Sequence, residues 1–401
     1  MQIKSLMSTF LLLIVSLFLG VTPIKTHACD FESVKFIADF PAARLDKCVL
    51  VSDTHYLLSV DAENRPINNS PWYAFKVATT KAQQLNLSIN VIDGSPRYIP
   101  KVSGDGKVWE NIPYQVSDGA LHFSLDVDQT PVWVSAQEII TSKDYDLWLN
   151  QMSQPSKIKR IHLGRSTLGK RIDGLEITQP DNNEWLILIG RQHPPEVTGT
   201  HAMLAFVEEM LANSALHTDF LQRFNILIVP LLNPDGVDAG YWRHNSQGVD
   251  LNRDWGKFTQ VETQLVGSKL DSITQSGEKI VFALDFHSTQ RDVFYTMPND
   301  YPVAPSKFVD QWLKDLKSNV LSSFVVRNVP GTSPGRGVFK QHIADTYQVH
   351  AVTYEMGDNT SRVMITSVAT SAARTLMQAL LAAPAESFYI TDVEKSADST
   401  P

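Results

Sequence analysis

Between about residues 30 and 140, short runs of the chain alternate apolar and polar positions with the period of a half-buried strand. His55–Val60, Trp72–Val77, Leu85–Val91 and Leu121–Val127 are β-type runs, and several of them alternate in this way. Asp93-Gly94, Gly104-Asp105-Gly106 and Asp118-Gly119 separate them with turn residues. No long amphipathic pattern competes, so this segment predicts an all-β sandwich. From about residue 143 the texture changes. Trp185–Gly190, Phe224–Leu232, Ile280–Phe286 and His350–Tyr354 are continuous apolar runs, as expected of strands buried on both faces. Thr198–Asn213 places Met203, Leu204, Phe206, Val207, Met210 and Leu211 at helical spacing, and Val363–Leu381 reads as a closing helix. The alternation predicts an α/β layer architecture. The chain divides into a leader over 1–28, a β-sandwich domain over 29–142, an α/β domain over 143–385 and a polar tail over 386–401 that is expected to be disordered.

The leader is read from its pattern. Lys4 precedes an apolar run of 12 residues, Phe10–Val21, and Thr26-His27-Ala28 follows, ending in a small residue. This is the layout of a secretory signal peptide. A membrane span needs roughly 18 or more apolar residues, so no stable span is expected once the leader is removed. A secreted or periplasmic location follows as an expectation. There Cys29 and Cys48, the two cysteines of the chain, are expected to pair, with lipid attachment at Cys29 as the alternative. The formal net charge is −8, and removing the leader takes away Lys4 and Lys25 but no acid. That balance argues against nucleic acid or an anionic membrane as partner.

The candidate chemistry gathers where the buried strands end. His193-Pro-Pro-Glu196 directly follows Trp185–Gly190, and an imidazole and a carboxylate on one short turn can chelate zinc. Asn233-Pro-Asp-Gly236 follows the second strand. Arg243 and then Asn252-Arg253-Asp-Trp255 come after it, and a guanidinium suits a carboxylate through paired hydrogen bonds. His287 follows the third apolar run and Glu355 the fourth. Two histidines and one glutamate with an open fourth position form a catalytic rather than a structural zinc arrangement. A further carboxylate supplies a base.

This ordered set resembles the zinc carboxypeptidase family, over about residues 150–385. The β-rich leading segment, with Trp72-Tyr-Ala-Phe75 and Ser103-Gly-Asp-Gly106, is similar to the N-terminal domain of the cytosolic-carboxypeptidase-like branch. The resemblance implies a mixed-sheet catalytic domain holding one zinc ion on His193, Glu196 and His287. It implies Glu355 as general base, Arg243 as oxyanion stabiliser, and Asn252 with Arg253 as the grip on a peptide's terminal carboxylate. Peptide or protein C-termini are the implied substrates. Family members often carry a tyrosine 22 positions before the catalytic glutamate, and here that position is Ser333. Arg336 and Lys340, in the stretch before Glu355, are expected to line a pocket that favours an acidic terminal residue. Two other readings stand beside this one. One is a periplasmic zinc amidase acting on peptidoglycan peptides or N-acyl amino acids, and the other is a non-catalytic peptide-binding relative.

Overall fold

The computed structural model describes residues 27–154 and 157–389. The leader lies outside them except for His27-Ala28, as does the tail from residue 390. Among the described residues, no helix is long and apolar enough to cross a membrane.

Residues 27–140 build two facing sheets. One runs in the order β1 (His27–Asp30), β2 (Val34–Ala38), β5 (Ala74–Thr79), β11 (Val132–Ser135), β7 (Lys101–Ser103), β8 (Glu110–Asn111). The other runs β3 (Lys47–Ser52), β4 (His55–Val60), β6 (Gln83–Val91), β10 (Ala120–Val127), β9 (Gln115–Ser117). The alternation read from sequence is what fills the space between them. On β10, Leu121, Phe123, Leu125 and Val127 are buried while Ser124 and Asp126 face solvent. Phe36, Phe75 and Val134 meet Tyr56, Leu58 and Leu87 in a single core. Each such side chain stabilises the fold by roughly 1.5–3 kcal/mol when fully buried. A disulfide joins Cys29 on β1 to Cys48 on β3, with 6.1 Å between their Cα atoms, and so ties one sheet to the other.

The remainder is one mixed eight-stranded sheet between two helical layers. Its order is β12 (Lys159–Arg165), β13 (Arg171–Ile177), β15 (Phe224–Val229), β14 (Glu184–Gly190), β16 (Lys279–Thr289), β19 (Ala351–Gly357), β17 (Val293–Thr296), β18 (Asn328–Pro330). The central four, β15, β14, β16 and β19, are mutually parallel. Leu186 and Leu188 of β14 face α1 (Ser142–Met152), α2 (Val197–Met210), α3 (Ala215–Leu221), α6 (Phe308–Asn319) and α8 (Arg362–Ala382). Trp185, Ile187 and Ile189 face α5 (Val261–Gln275) and α7 (Phe339–Tyr347). Both faces of β14 are covered, which is why its sequence is apolar without interruption. The short α4 (Pro234–Asp238) is capped by Asn233, whose side chain accepts from the Gly236 N–H.

Three boundaries differ from the apolar runs. β16 and β19 continue through His287 and Glu355, so both residues lie within strands rather than beyond them. Apolar continuity stops at the first polar residue, whereas the hydrogen-bonded ladder does not. The run Phe224–Leu232 ends as a strand at Val229, because Pro230 has no N–H to offer the ladder. At the other end, residues 386–389 are not a loose tail. Ala385–Phe388 forms a 3₁₀ turn, and the buried Phe388 ring meets Phe308 edge-on.

The sandwich and the α/β unit share a core. Val197 of α2 and Trp242 are buried among the sandwich residues. Arg97, from the sandwich, donates to both carboxylate oxygens of Asp358 at 2.8 and 3.0 Å, one residue past β19. The side chains are 10% and 4% exposed. Removing one member of such a pair strands the other charge away from water. Arg97→Ala is expected to cost about 3–5 kcal/mol in urea unfolding. Arg374→Ala, which breaks an exposed pair with Glu209, is expected to cost less than about 1 kcal/mol. Equal effects would mean that the Arg97 contact carries no special weight.

Candidate metal centre

The site begins where β14 ends. Arg191 has a left-handed backbone, φ 52°, which turns the chain sharply after Gly190. Its buried guanidinium then pins the turn, donating from Nε to Pro194 O at 2.8 Å and from Nη1 to Thr200 Oγ1 at 2.7 Å. His193 and Glu196 are thereby aimed at β16. Glu196 Oε1 lies 2.8 Å from His193 Nδ1, and its Oε2 lies 2.7 Å from His287 Nδ1. All three residues are buried, and one ligand atom from each falls within 4.8 Å of the others. Gly199, on the first turn of α2, makes this approach possible. A Cβ there would stand 2.4 Å from the carbonyl oxygen of His287.

The outer nitrogens of both rings are taken by carboxylates. Asp250 Oδ1 lies 2.9 Å from His193 Nε2, and Asp285 Oδ2 lies 2.7 Å from His287 Nε2. Each carboxylate favours a proton on Nε2, which leaves the Nδ1 lone pair for a metal. Gln192 Nε2 donates to Asp285 at 2.8 Å, and Gln192 is itself held by the Trp255 indole at 2.9 Å. Asp250 and Asp285 were not singled out in the sequence. Asp285 could have been found, since it sits two positions before His287 and so shares its strand face.

The electrostatics fit a divalent cation. Burial pushes the His287 imidazole toward neutrality, but Asp285 and Glu196 overcome it and hold the ring protonated well above its usual range. Burial raises the Glu196 carboxyl, and His193 and His287 outweigh it and pull the group well below the usual range. The cluster thus demands positive charge at its centre, and a metal ion supplies it there in place of a proton. Two nitrogens and a carboxylate oxygen are the donor set of catalytic zinc. Glu355, in register with His287 on the neighbouring strand, faces the same space. Burial drives its carboxyl up to about 8; Glu196 and Asp285 add to this, while His287 and Arg243 oppose it. Its Oε2 has no hydrogen-bond partner among the described residues.

The remaining candidates separate into two groups. Arg243 donates from Nε to Asp250 Oδ2 at 2.7 Å, linking it to His193 through one carboxylate. Burial eases the Arg253 guanidinium toward deprotonation, Asp250 opposes this, and the nearby Arg243 and Arg336 charges add to it. Arg253 therefore feels the charge of two other guanidinium groups, a setting that suits an anion. Asn252 is turned inward. Its Oδ1 accepts from the Phe339 N–H at 2.9 Å, and its Nδ2 stands 3.3 Å from His287 Nε2. Lys340 does not line an open pocket beside Arg336. It is buried on the first turn of α7, and its ammonium is spent on Thr296 O at 2.9 Å and on Gly331 O. Burial lowers it to about 8. Arg336 is exposed at the tip of a turn between Gly335 and Gly337, both at positive φ. Ser333 donates its N–H to Gln341 Oε1.

A buried His–Glu–His cluster set where parallel strands of a mixed sheet end defines a metal-dependent α/β protein of the hydrolase type. Residues 145–365, more than half of the chain, match the zinc carboxypeptidase model, and the chain belongs to that family. It is 26% identical over 226 residues to an uncharacterized protein of Zymomonas mobilis, across 55% of this chain and 58% of the relative. It is also 26% identical over 300 residues to cytosolic carboxypeptidase 3 of Mus musculus, across 66% of this chain but 30% of that protein. The chain thus spans between 30% and 58% of the length of these relatives. A metallo-carboxypeptidase structure from Burkholderia cenocepacia superposes with a TM-score of 0.76 at 15% identity, covering 87% of this chain and 99% of the other. That likeness extends the shared fold across the sandwich as well.

The purified protein is expected to carry one zinc per chain by elemental analysis, and His287→Ala is expected to carry almost none. Glu355→Gln should keep the metal. Because zinc needs deprotonated ligands, uptake by the apoprotein should release protons and weaken as pH falls. Titration calorimetry in buffers of different ionisation enthalpy measures this, and pH-independent uptake would contradict the ligand set.

Proposed function

We propose that this protein is a zinc-dependent carboxypeptidase that removes the terminal residue from peptides or proteins. One observation carries the reading: Arg243, tied through Asp250 to His193, and Arg253, which feels the charges of Asp250 and Arg243, accompany a buried His–Glu–His cluster with an unpartnered carboxyl at its wall. A free terminal carboxylate answers the guanidinium charge, and an internal peptide bond does not. His193, Glu196 and His287 would hold zinc, which when bound polarises a carbonyl and acidifies water. Glu355 takes the water proton and returns it to the departing amine, a task suited to a carboxyl poised near neutrality by burial. Arg243 reaches toward the oxygen on which charge develops. Arg253 binds the terminal carboxylate, and Arg336, exposed at its turn, favours an acidic terminal side chain. Lys340 supports the wall behind that turn.

Export is part of the proposal. The apolar leader and the Cys29–Cys48 disulfide both suit an oxidising compartment, and Cys29 in a disulfide has no thiol left to carry a lipid. N-terminal sequencing of the protein from its native host should find a chain that starts near Cys29. A chain that keeps Met1 would overturn export.

Glu355→Gln is expected to lower kcat for a blocked dipeptide by about 10²–10⁴-fold. Arg253→Ala should act chiefly on KM, and a C-terminally amidated peptide should stay intact. Peptides ending in Glu should be cleaved faster than matched peptides ending in Leu, and Arg336→Ala should erase that difference. Rapid cleavage of the amidated peptide would point instead to an amidase.

A further inference from the structure

The loop that carries Arg243 belongs to the α/β unit, but its conformation is set from outside that unit. Between α4 and the 3₁₀ turn Leu251–Arg253 the chain pairs with no strand. Its amides turn instead to one side chain of the sandwich. The N–H groups of Trp242, Arg243 and His244 all donate to Glu63, at 2.7 Å to Oε2 and at 2.9 and 2.7 Å to Oε1. Three successive amides converging on one anion form a nest. The Glu63 side chain is 3% exposed. Asn64 adds a second hold, donating from Nδ2 to Gly248 O at 3.1 Å and meeting His244 Nδ1 with Oδ1 at 2.6 Å. The Trp242 indole is buried in the sandwich core. Both peptide neighbours of Arg243 are therefore fixed by the sandwich.

We infer that Glu63 is a positioning residue for the reaction: its carboxylate holds the Arg243 loop so that the guanidinium stands ready over the reacting carbonyl. The inference rests on the peptidase role given to Arg243. The contacts run in one line. Glu63 holds the Arg243 backbone, Arg243 Nε meets Asp250, and Asp250 meets His193. Burial raises the Glu63 carboxyl, but the hydrogen bonds from the His244 side chain and from the His244 and Trp242 backbone outweigh it and keep the group ionised at neutral pH. Glutamine in its place would turn an NH₂ toward donors that need acceptors. A misplacement of about 1 Å in such an arrangement costs about 10²-fold in rate.

The test is a double-mutant cycle on the full, zinc-loaded protein with a blocked dipeptide. Glu63→Ala is expected to lower kcat about 10- to 100-fold with KM and zinc content unchanged. Glu63→Gln provides the same measurement should the alanine variant fold poorly. In an Arg243→Ala background the Glu63 change should alter kcat less than twofold, because the group it positions is gone. Hydrogen exchange gives a readout independent of turnover. Amides 242–244 should lose protection in the Glu63 variants of the apoprotein, while β14 and β16 keep theirs. A Glu63 effect that multiplies with that of Arg243→Ala, or an unchanged kcat in the Glu63 variants, overturns the inference. An Arg243→Ala protein at full rate overturns the oxyanion role itself, and the positioning role with it.

Discussion

Everything at the centre of this protein depends on Glu196 being shared. One buried carboxylate faces two imidazole nitrogens, and each imidazole is backed by another carboxylate. Three acids around two rings form an arrangement that repels itself unless positive charge is supplied between them. The surrounding fold exists to keep these groups close despite that repulsion. Arg191 locks the turn, Gly199 lets a helix press on the β16 backbone, and Gln192 with Trp255 steadies Asp285. The interactions that hold the site are polar and directional, while those that hold the sheet are apolar and unspecific.

Much of this was legible in the chain itself. Continuous apolar runs located the central strands, because strands covered on both faces tolerate little else. Alternation located the sandwich strands, because one face of each is wet. The residues of the His–Glu–His cluster were legible because they come where those runs stop. What was hidden is instructive. Asp285 lies inside an apolar run and reads as an interruption, and its partnership with His287 shows only when side chains are assigned to strand faces. Lys340 read as a pocket cation, yet its position on the first turn of α7 carries the ammonium inward onto backbone carbonyls. Glu63 and Arg97 carried no local signal, since their partners lie 180 and 261 positions away.

The sandwich is therefore more than a neighbour. It reaches the α/β unit at several places, among them three charged contacts: Arg97 meets Asp358 beyond β19, Glu138 meets Arg362 at the start of α8, and Glu63 meets the Arg243 loop. Two of these contacts abut segments that carry site residues. Rigidity at the site thus comes partly from a layer that supplies no metal ligand.

The burial of Val197 and Trp242 among sandwich side chains has a consequence for how the molecule can be divided. A cut near residue 142, where the chain changes in texture, would sever the peptide at the start of α1, where Ser142 donates to Asp238, and would also open an apolar seam. The α/β half alone would present an indole to solvent one residue from its key arginine, and the sandwich alone would lack part of its filling. Texture marks two architectures, but cohesion makes them one folding body, and any minimal active fragment must retain both.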